Sequence, residues 1–266
     1  MGEKFKHPFI TAIILFDIMV LFLLPVLLII MTSFSANRTV VFPPKGFTFR
    51  WYKEVFVDPL YRNAIFHSLV AATIDATLSV PLGVLAALGV NKYTIKLRSF
   101  LQSYLLLPFI IPLVVSAMIL MIIYTKLGLI GQLWAVGLAI LTVDISFMIA
   151  TVSSAVNALD RNLEYAAQNL GANEIQTFFS ITIPLLKPGI ISGFLLMWLL
   201  GFNEFLVSLM VTNRATITLP VAMYTVIRSN ITTEVAAAAS IVIIVSWLLI
   251  LTVDRLVGLE GLLGGR

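Results

Sequence analysis

The chain has no cysteine and only two histidines, His7 and His67, among its 266 residues. Disulfide bonds, zinc–thiolate sites and cysteine nucleophiles are therefore excluded, and two histidines so far apart in the sequence do not indicate a metal site. Charged residues are also scarce, at 11% of the chain. The 17 basic residues are scattered along the sequence, so no basic patch that would bind nucleic acid is predicted.

Hydrophobic residues, in contrast, make up 60% of the sequence, and the mean hydropathy is +1.04. This is more apolar surface than one globular core can bury, so the composition predicts an all-α integral membrane protein. Windows of twenty residues predict six transmembrane helices within a single domain, 1–266, with spans near 9–32, 64–90, 100–125, 132–156, 189–211 and 234–254. Pro108 and Pro112 each remove a backbone hydrogen bond, so the third span should bend.

An even number of spans places both termini on one side of the membrane. With the N-terminus inside, nine of the 17 basic residues lie inside, and the short loop 91–99 is the densest basic segment. Short basic loops favour the cytoplasm, so we predict cytoplasmic termini and a location in the plasma (inner) membrane. In the first outer loop, apolar residues at helical spacing between Phe49 and Phe56 predict a short helix. Trp51 and Tyr52 in this helix are expected at the bilayer interface.

The loop between the fourth and fifth spans, 158–188, is polar and rich in helix-forming residues. Asp160 can cap a helix that has apolar residues on one face, and Gly171 is placed to end it. Asn173, followed three residues later by Gln176, has the spacing of a second helix start. The sequence therefore predicts a compact helix–turn–helix on the cytoplasmic side of the membrane.

This helix–turn–helix has two other interpretations. It could simply connect two spans, or it could resemble a DNA-binding motif. The second helix offers Glu174 and Gln176 but no Lys or Arg for phosphates, which argues against DNA binding. We expect Pro184 and Pro188 to end the second helix before the membrane resumes.

The loop also carries a motif with fixed spacing, composed of Glu164, Ala166, Ala167, Gly171 and, after nine further residues, Ile181, Thr182, Ile183 and Pro184. It resembles the EAA loop in the membrane subunits of binding-protein-dependent ABC importers, which reads Glu-Ala-Ala, three residues, Gly, nine residues, Ile-x-Leu-Pro. Tyr165 occupies the position of the usual Glu, and Glu164 stands one residue earlier. The resemblance implies that the loop docks an ATPase through Glu164, Tyr165, Ala166, Ala167, Gly171, Ile181 and Pro184.

Three further stretches extend the resemblance along the chain: GFTFRWYKEVF from Gly46, GFNEFLVSLMVT from Gly201, and TLPVAMYTVIRSNITTEVAAAASIVII from Thr218. They are similar to the second permease subunit of the spermidine/putrescine type. This family implies a type I importer permease (MetI-like) architecture, and its partners are a second permease, identical or different, two cytosolic ATP-binding subunits and an extracytoplasmic solute-binding protein. The resemblance implies no catalytic residue, metal or cofactor on this chain, with ATP and Mg held by the ATPase. The chain also has no G-x-x-x-x-G-K-[ST] loop, so another polypeptide must hydrolyse ATP.

Four acidic residues interrupt the predicted spans, namely Asp17, Asp75, Asp144 and Glu204. A carboxylate facing lipid costs about 2.5 to 3.5 kcal/mol, so each should face protein or water. We predict that Asn203, Glu204 and Asp144 border the translocation pathway, where anionic groups would favour a cationic amine. The alternative is a hydrogen-bonded network that holds the helices together. Asp75, with hydroxyl side chains nearby, is predicted to be structural.

Two other classes of function compete with the importer permease. An ion-coupled secondary transporter would have acids within broken helices and an inverted repeat, and no repeat is detected in the sequence. A membrane enzyme would need a convergent catalytic group, and the sequence has neither a G-x-S-x-G motif nor a plausible histidine-based pair. The sequence therefore favours a permease that forms the pathway for a small polar solute, with the secondary transporter as the alternative.

Overall fold

The computed structural model describes residues 8–92 and 98–257. The helices, in chain order, are α1 (Pro8–Ser33), α2 (Arg50–Val57), α3 (Pro59–Lys92), α4 (Arg98–Leu105), α5 (Leu107–Ile110), α6 (Leu113–Leu127), α7 (Leu133–Asn157), α8 (Arg161–Asn169), α9 (Glu174–Thr177), α10 (Ile183–Asn203), α11 (Leu206–Val211), α12 (Leu219–Ser229) and α13 (Thr233–Val257). A π-helical turn, Phe178–Thr182, joins α9 to α10. The all-α fold predicted from composition is confirmed. Residues 93–97, at the centre of the basic loop used to predict orientation, lie outside the described residues.

Five helical segments of the described chain are long and apolar enough to cross a membrane, namely Phe16–Ser33 of α1, α3, α7, Glu174–Asn203 and Thr233–Thr252 of α13. A sixth apolar helix, α6, has 15 residues and is shorter than the hydrocarbon thickness requires. The chain is therefore a multi-pass membrane protein, with one span built differently from the others.

The predicted third span, 100–125, forms three helices instead of one bent helix. The first helix ends before Leu106, and the backbone becomes extended at Ile111 and Pro112, where ψ is 127° and 125°. The break at Ile111 lies directly before Pro112, because proline disfavours helical geometry in the residue that precedes it. The two prolines therefore divide the span into separate helices.

The described residues group into two compact units. The first lies within Met1–Arg62 and Met223–Ser246, and the second within Asn63–Ala222 and Trp247–Arg266. Because the residues of the polar loop and three of the acidic residues within the spans fall in the second unit, all the predicted site residues belong to it.

In the first unit, the predicted short outer helix is present as α2, but one of its aromatic residues is placed differently from the prediction. Trp51 is only 4% exposed, and its indole Nε1 donates to the Ser35 carbonyl oxygen at 2.7 Å. The hydroxyl groups of Tyr52 and Ser33 form a hydrogen bond of 2.6 Å. Trp51 is therefore a packed core residue and not an interfacial anchor, because its single polar atom finds a partner inside the protein.

In the second unit, α7 is the central helix, since 12 of its 25 residues are buried. One apolar cluster joins α7 to α3, α6 and α11, and a second joins it to α3 and α10. Because α3 and α7 contribute to both clusters, they form the scaffold against which the interrupted spans pack.

The close approach of α3 and α7 depends on Gly137. A Cβ at this position would lie 2.7 Å from the Ile74 Cβ and 2.9 Å from the Ala71 carbonyl oxygen. Backbone atoms cannot rotate away, so we expect Gly137→Ala to lower the free energy of unfolding by about 1–3 kcal/mol. Thermal unfolding of the purified chain in detergent would measure this loss. The control is Gly89→Ala, where a Cβ meets no atom of residues 8–92 and 98–257 within 4 Å. Equal melting temperatures for the two variants would contradict the role of Gly137.

Candidate functional site

The helices of the polar segment, 158–188, begin at the residues that the sequence indicates. The Asp160 side chain accepts a hydrogen bond from the Asn162 amide at 3.0 Å and caps α8. The Asn173 side chain accepts from the Gln176 amide at 2.8 Å, and the Gln176 side chain accepts from the Asn173 amide at 2.9 Å. This reciprocal pair is a capping box, so α9 has a defined start despite its short length.

Gly171 ends α8 as its position in the motif predicts. Its φ of +94° lies in the left-handed region. The Gly171 amide donates to the Gln168 carbonyl at 2.9 Å, and the Ala172 amide donates to the Ala167 carbonyl at 3.1 Å. These two bonds form a Schellman motif, which satisfies the last carbonyls of the helix and turns the chain sharply. The turn between α8 and α9 is therefore fixed by backbone hydrogen bonds.

Pro184 and Pro188 do not end the second helix, contrary to the prediction. The helical segment continues from Glu174 to Asn203, through the π-helical turn and into α10. Pro184 lies at the start of α10, a position where proline is tolerated, and the preceding turn has already changed its hydrogen-bond register from i−4 to i−5. The polar segment is therefore continuous with a membrane-spanning helix.

Glu164 lies in a polar cluster at the end of α3. It is 4% exposed, and its Oε1 accepts hydrogen bonds from Lys92 Nζ at 2.8 Å and from the Thr182 hydroxyl. Arg161 extends the cluster, because its Nη2 donates to the Asn91 carbonyl oxygen at 2.9 Å. One carboxylate thus holds together the end of α3, helix α8 and the π-helical turn.

The charge of Glu164 is maintained by its partners. Burial raises the pKa of this carboxyl, but the hydrogen bonds from Lys92 and Thr182 and the charges of Lys92 and Arg161 hold it below its usual value of 4.5. Glu164 is therefore ionised at neutral pH, and its interaction with Lys92 is a true ion pair.

Several large apolar and aromatic side chains of the segment are exposed. We call them together the docking face and define it by Leu163, Tyr165, Leu170, Ile175 and Phe179. Leu170 is 90% exposed and Ile175 is 71% exposed. Of the residues that the motif predicts to dock an ATPase, Tyr165, Ala166, Gly171 and Pro184 are exposed, Ala167 and Ile181 are half-buried, and Glu164 is buried.

Glu204 interrupts the predicted fifth span. Helix α10 ends at Asn203, and Glu204 has an extended ψ of 127°. The two carboxylate oxygens of Glu204 accept hydrogen bonds from the Val207 amide at 2.7 Å and the Ser208 amide at 2.8 Å. They satisfy free amides at the start of α11, so Glu204, at 8% exposure, stabilises the break in the span. Asn203 beside it is exposed.

Asp75 is fully buried next to this break. Neither of its carboxyl oxygens has a hydrogen-bond partner among the described residues, and a Cβ at Gly201 would lie 2.6 Å from its Oδ2. The hydroxyls of Thr73 and Ser79, nearby on α3, donate to backbone carbonyls and not to Asp75. The Asp75 carboxyl lies within electrostatic range of Asp144 and Glu204. The structure therefore brings three acids of the spans together, including one that the sequence placed outside the pathway.

Membrane-length helices, a span interrupted beside buried acids and a polar segment that leads into one span define a multi-pass membrane permease. The chain belongs to the family of inner membrane components of binding-protein-dependent transport systems, whose model matches residues 79–259. It is therefore the permease subunit of an importer that works with a solute-binding protein.

Among its relatives is the spermidine/putrescine transport system permease protein PotC of Escherichia coli (strain K12), 27% identical over 250 residues that cover 94% of this chain and 92% of PotC. The putrescine transport system permease protein PotI of the same strain is 28% identical over 226 residues, covering 82% of this chain and 80% of PotI. A solved structure of a bacterial ABC transporter involved in the import of the acidic polysaccharide alginate shares the fold, with a TM-score of 0.72, 18% identity and coverage of 96% and 99%. The predicted family and the resemblance to its spermidine/putrescine branch are confirmed.

Proposed function

We propose that this chain and a second permease subunit form the translocation pathway of an ABC importer for a polyamine or a related small amine. Two cytosolic ATPase subunits, which hold ATP and Mg, drive the importer, and an extracytoplasmic binding protein delivers the solute. In this arrangement both termini and the polar segment 158–188 lie on the cytoplasmic side. The observation that carries the proposal is the docking face, an exposed apolar surface on a segment that is otherwise polar.

The docking face fits a protein partner better than lipid. Its side chains lie on α8, α9, the turn between them and the π-helical turn, and the exposed residues around them are mostly polar, such as Asn162, Gln168 and Gln176. An exposed apolar patch with a polar surround is typical of a protein-binding surface. An ATPase subunit is the partner expected for this segment, because its helices have the spacing of the EAA motif and lead directly into a spanning helix.

The acids of the second unit support a cationic solute. Asp144 and Glu204 lie on α7 and at the break after α10, within electrostatic range of each other, and Asn203 is exposed at the same break. Negative groups along a pathway lower the electrostatic barrier for an amine. The names of PotC and PotI refer to spermidine and putrescine, which are cationic amines. We propose that Asn203, Glu204 and Asp144 border the pathway.

Alternating access follows from these parts. Closure of the two ATPase subunits moves the docking face, and the movement passes into α10 because α9, the π-helical turn and α10 form one continuous helical segment, Glu174–Asn203. The break at Glu204 lets the part of the span beyond α10 follow a different path. Rocking of the spans then opens the pathway toward the loaded binding protein, and ATP hydrolysis in the partner subunits restores the starting state.

The test is uptake into vesicles that contain this chain, the second permease, the ATPases and the binding protein. We expect ATP-dependent uptake of labelled spermidine or putrescine that unlabelled polyamines inhibit and that amino acids and sugars do not. ATP-independent uptake driven by an ion gradient would contradict the proposal and favour a secondary transporter. Uptake inhibited by a sugar or an amino acid would contradict the solute class alone.

A variant of the docking face tests the ATPase contact directly. We expect Leu170→Asp to weaken binding of the ATPase subunit at least about tenfold, because an apolar residue at the centre of an interface contributes about 2 kcal/mol. Co-purification of the ATPase with the permease measures this loss. Asn230→Asp is the control, since it adds the same charge at an exposed position outside the polar segment. Equal retention of the ATPase by both variants would show that the docking face lies elsewhere.

A further inference from the structure

We propose that Glu164 is a positioning residue that clamps α8 to the end of α3 and to the π-helical turn before α10, so that the docking face and two spanning helices move as one body. This inference rests on the ATPase-driven function proposed above. It assigns to Glu164 a role inside this chain instead of a contact with the ATPase.

The geometry of the carboxylate supports the clamp. Oε1 of Glu164 meets Lys92 Nζ and the Thr182 hydroxyl, which belong to segments 72 residues before and 18 residues after it in the sequence. The Glu164 side chain is 6% exposed and that of Lys92 is 29% exposed. Dissolved salt screens a partly buried ion pair much less than an exposed one. The attraction between Glu164 and Lys92 is therefore retained at physiological ionic strength. The contacts are long-range in sequence and short-range in space, as a clamp between helices requires.

A contact between Glu164 and an ATPase would require this carboxylate to leave its partners. Its departure would leave Lys92 beside a half-buried site without its counter-charge, and breaking a pair of this kind is strongly unfavourable. Tyr165, at the position of the usual motif Glu, is 57% exposed, whereas Glu164 is 4% exposed. On α8, Tyr165 is therefore accessible to a partner, whereas Glu164 binds residues of this chain.

Further hydrogen bonds extend the clamp to a third spanning helix. The Asn91 side chain donates to the Ser153 hydroxyl of α7 at 2.8 Å, and its backbone carbonyl accepts from Arg161 of α8. At the end of α3, Asn91 thus binds α7 and α8, and the next residue, Lys92, binds α8. A displacement of α8 would pull on α3, α7 and α10 together, so a rigid-body movement is transmitted with little loss.

The first experiment measures how much solute is imported for each ATP hydrolysed in the reconstituted complex. Glu164→Gln and Lys92→Met should retain ATPase binding and hydrolysis, while import per ATP falls about tenfold, as expected when a charge-assisted hydrogen bond is lost. The Glu164→Gln, Lys92→Met double variant should be no worse than either single variant, because both remove the same interaction. Lys126→Met is the control, since Lys126 also lies in the last turn of a membrane helix, is exposed, and is outside the cluster.

The outcomes separate the clamp from the proposed function. If the wild-type complex shows no ATP-driven uptake, the proposed function fails and the clamp fails with it. If the wild type imports with ATP and the Glu164 and Lys92 variants keep its import per ATP, the clamp alone is wrong. A loss of ATPase binding in Glu164→Gln, with unchanged import per ATP in Lys92→Met, would mean that Glu164 contacts the ATPase.

A second experiment does not depend on how well the single variants fold. The chain has no cysteine, so Lys92→Cys with Glu164→Cys creates a unique thiol pair. Without a cross-linker, this variant should import poorly per ATP. A bifunctional thiol reagent that spans the pair should restore import per ATP at least several-fold, because it replaces the ion pair by a covalent tie. Inhibition of transport by the cross-link would show that α8 must slide against α3, and would overturn the clamp.

Discussion

Replacing Gly171 by valine is expected to reduce ATP-driven uptake at least about tenfold. Gly171 has a φ of +94°, and an L-residue in the left-handed region costs about 1–2 kcal/mol, more when it is β-branched. The strain opposes the Schellman turn, so α8 would end at a different place and the docking face would change shape. Uptake and ATPase co-purification from the same preparation measure the effect.

Asparagine at the same position identifies the cause of this loss. A Cβ at Gly171 meets no atom of the described residues within 4 Å, so a clash with them is not the source of the effect. Asparagine tolerates the left-handed region, and Gly171→Asn should therefore keep most of the uptake. Equal losses in both variants would indicate that the partner needs the space itself. Normal uptake in both would contradict a docking role for this turn.

Glu204→Gln is expected to lower uptake about tenfold while ATPase binding is unchanged. The carboxylate of Glu204 accepts from two backbone amides, whereas an amide side chain has only one acceptor oxygen. One buried N–H at the start of α11 would lose its partner, which costs about 1–3 kcal/mol, and the negative charge would be lost as well. Initial rates of polyamine uptake across a concentration series measure the change.

The kinetic pattern distinguishes the two roles of Glu204. If the carboxylate meets the amine, KM for the polyamine should rise. If it only stabilises α11, the maximal rate should fall with KM unchanged. Glu54→Gln is the control and should behave as wild type, because it makes the same change on α2, where the Glu54 side chain is 35% exposed and pairs only with Arg50 of the next turn among the ion pairs of the described residues. Unchanged kinetics in Glu204→Gln would remove this residue from both roles.

The parts of the polar segment that could be predicted depend on residues close together in the sequence. Asp160 binds an amide two residues away, and the Asn173–Gln176 box spans three residues. The turn at Gly171 uses bonds that also stay within five residues. Such signals can be read in one sequence because the chain itself holds the partners near each other. The effect of the prolines was misjudged because the π-helical turn that accommodates them has no comparable local signature.

The positions of the acids within the spans could be predicted only in part from the sequence. Their low number and apolar surroundings indicated that they avoid lipid, and the structure places Asp75, Asp144 and Glu204 within electrostatic range. The proximity of Asp75 to the other two acids could not be predicted from the sequence, because it depends on how α3, α7 and the break after α10 meet. Glu204 caps α11 only because the span breaks at this residue. A hydropathy average over twenty residues does not detect such a break.

Composition, hydrophobic run length and one spaced motif were enough to determine an all-α membrane permease, its family and the segment expected to meet a motor subunit. These properties depend on transfer of apolar residues into lipid and on local backbone hydrogen bonds, both of which act along the chain. Only the tertiary structure decided which way Glu164 faces, because its partner Lys92 is 72 residues away in the sequence. The pairing of charges across packed helices is set by how those helices meet in space.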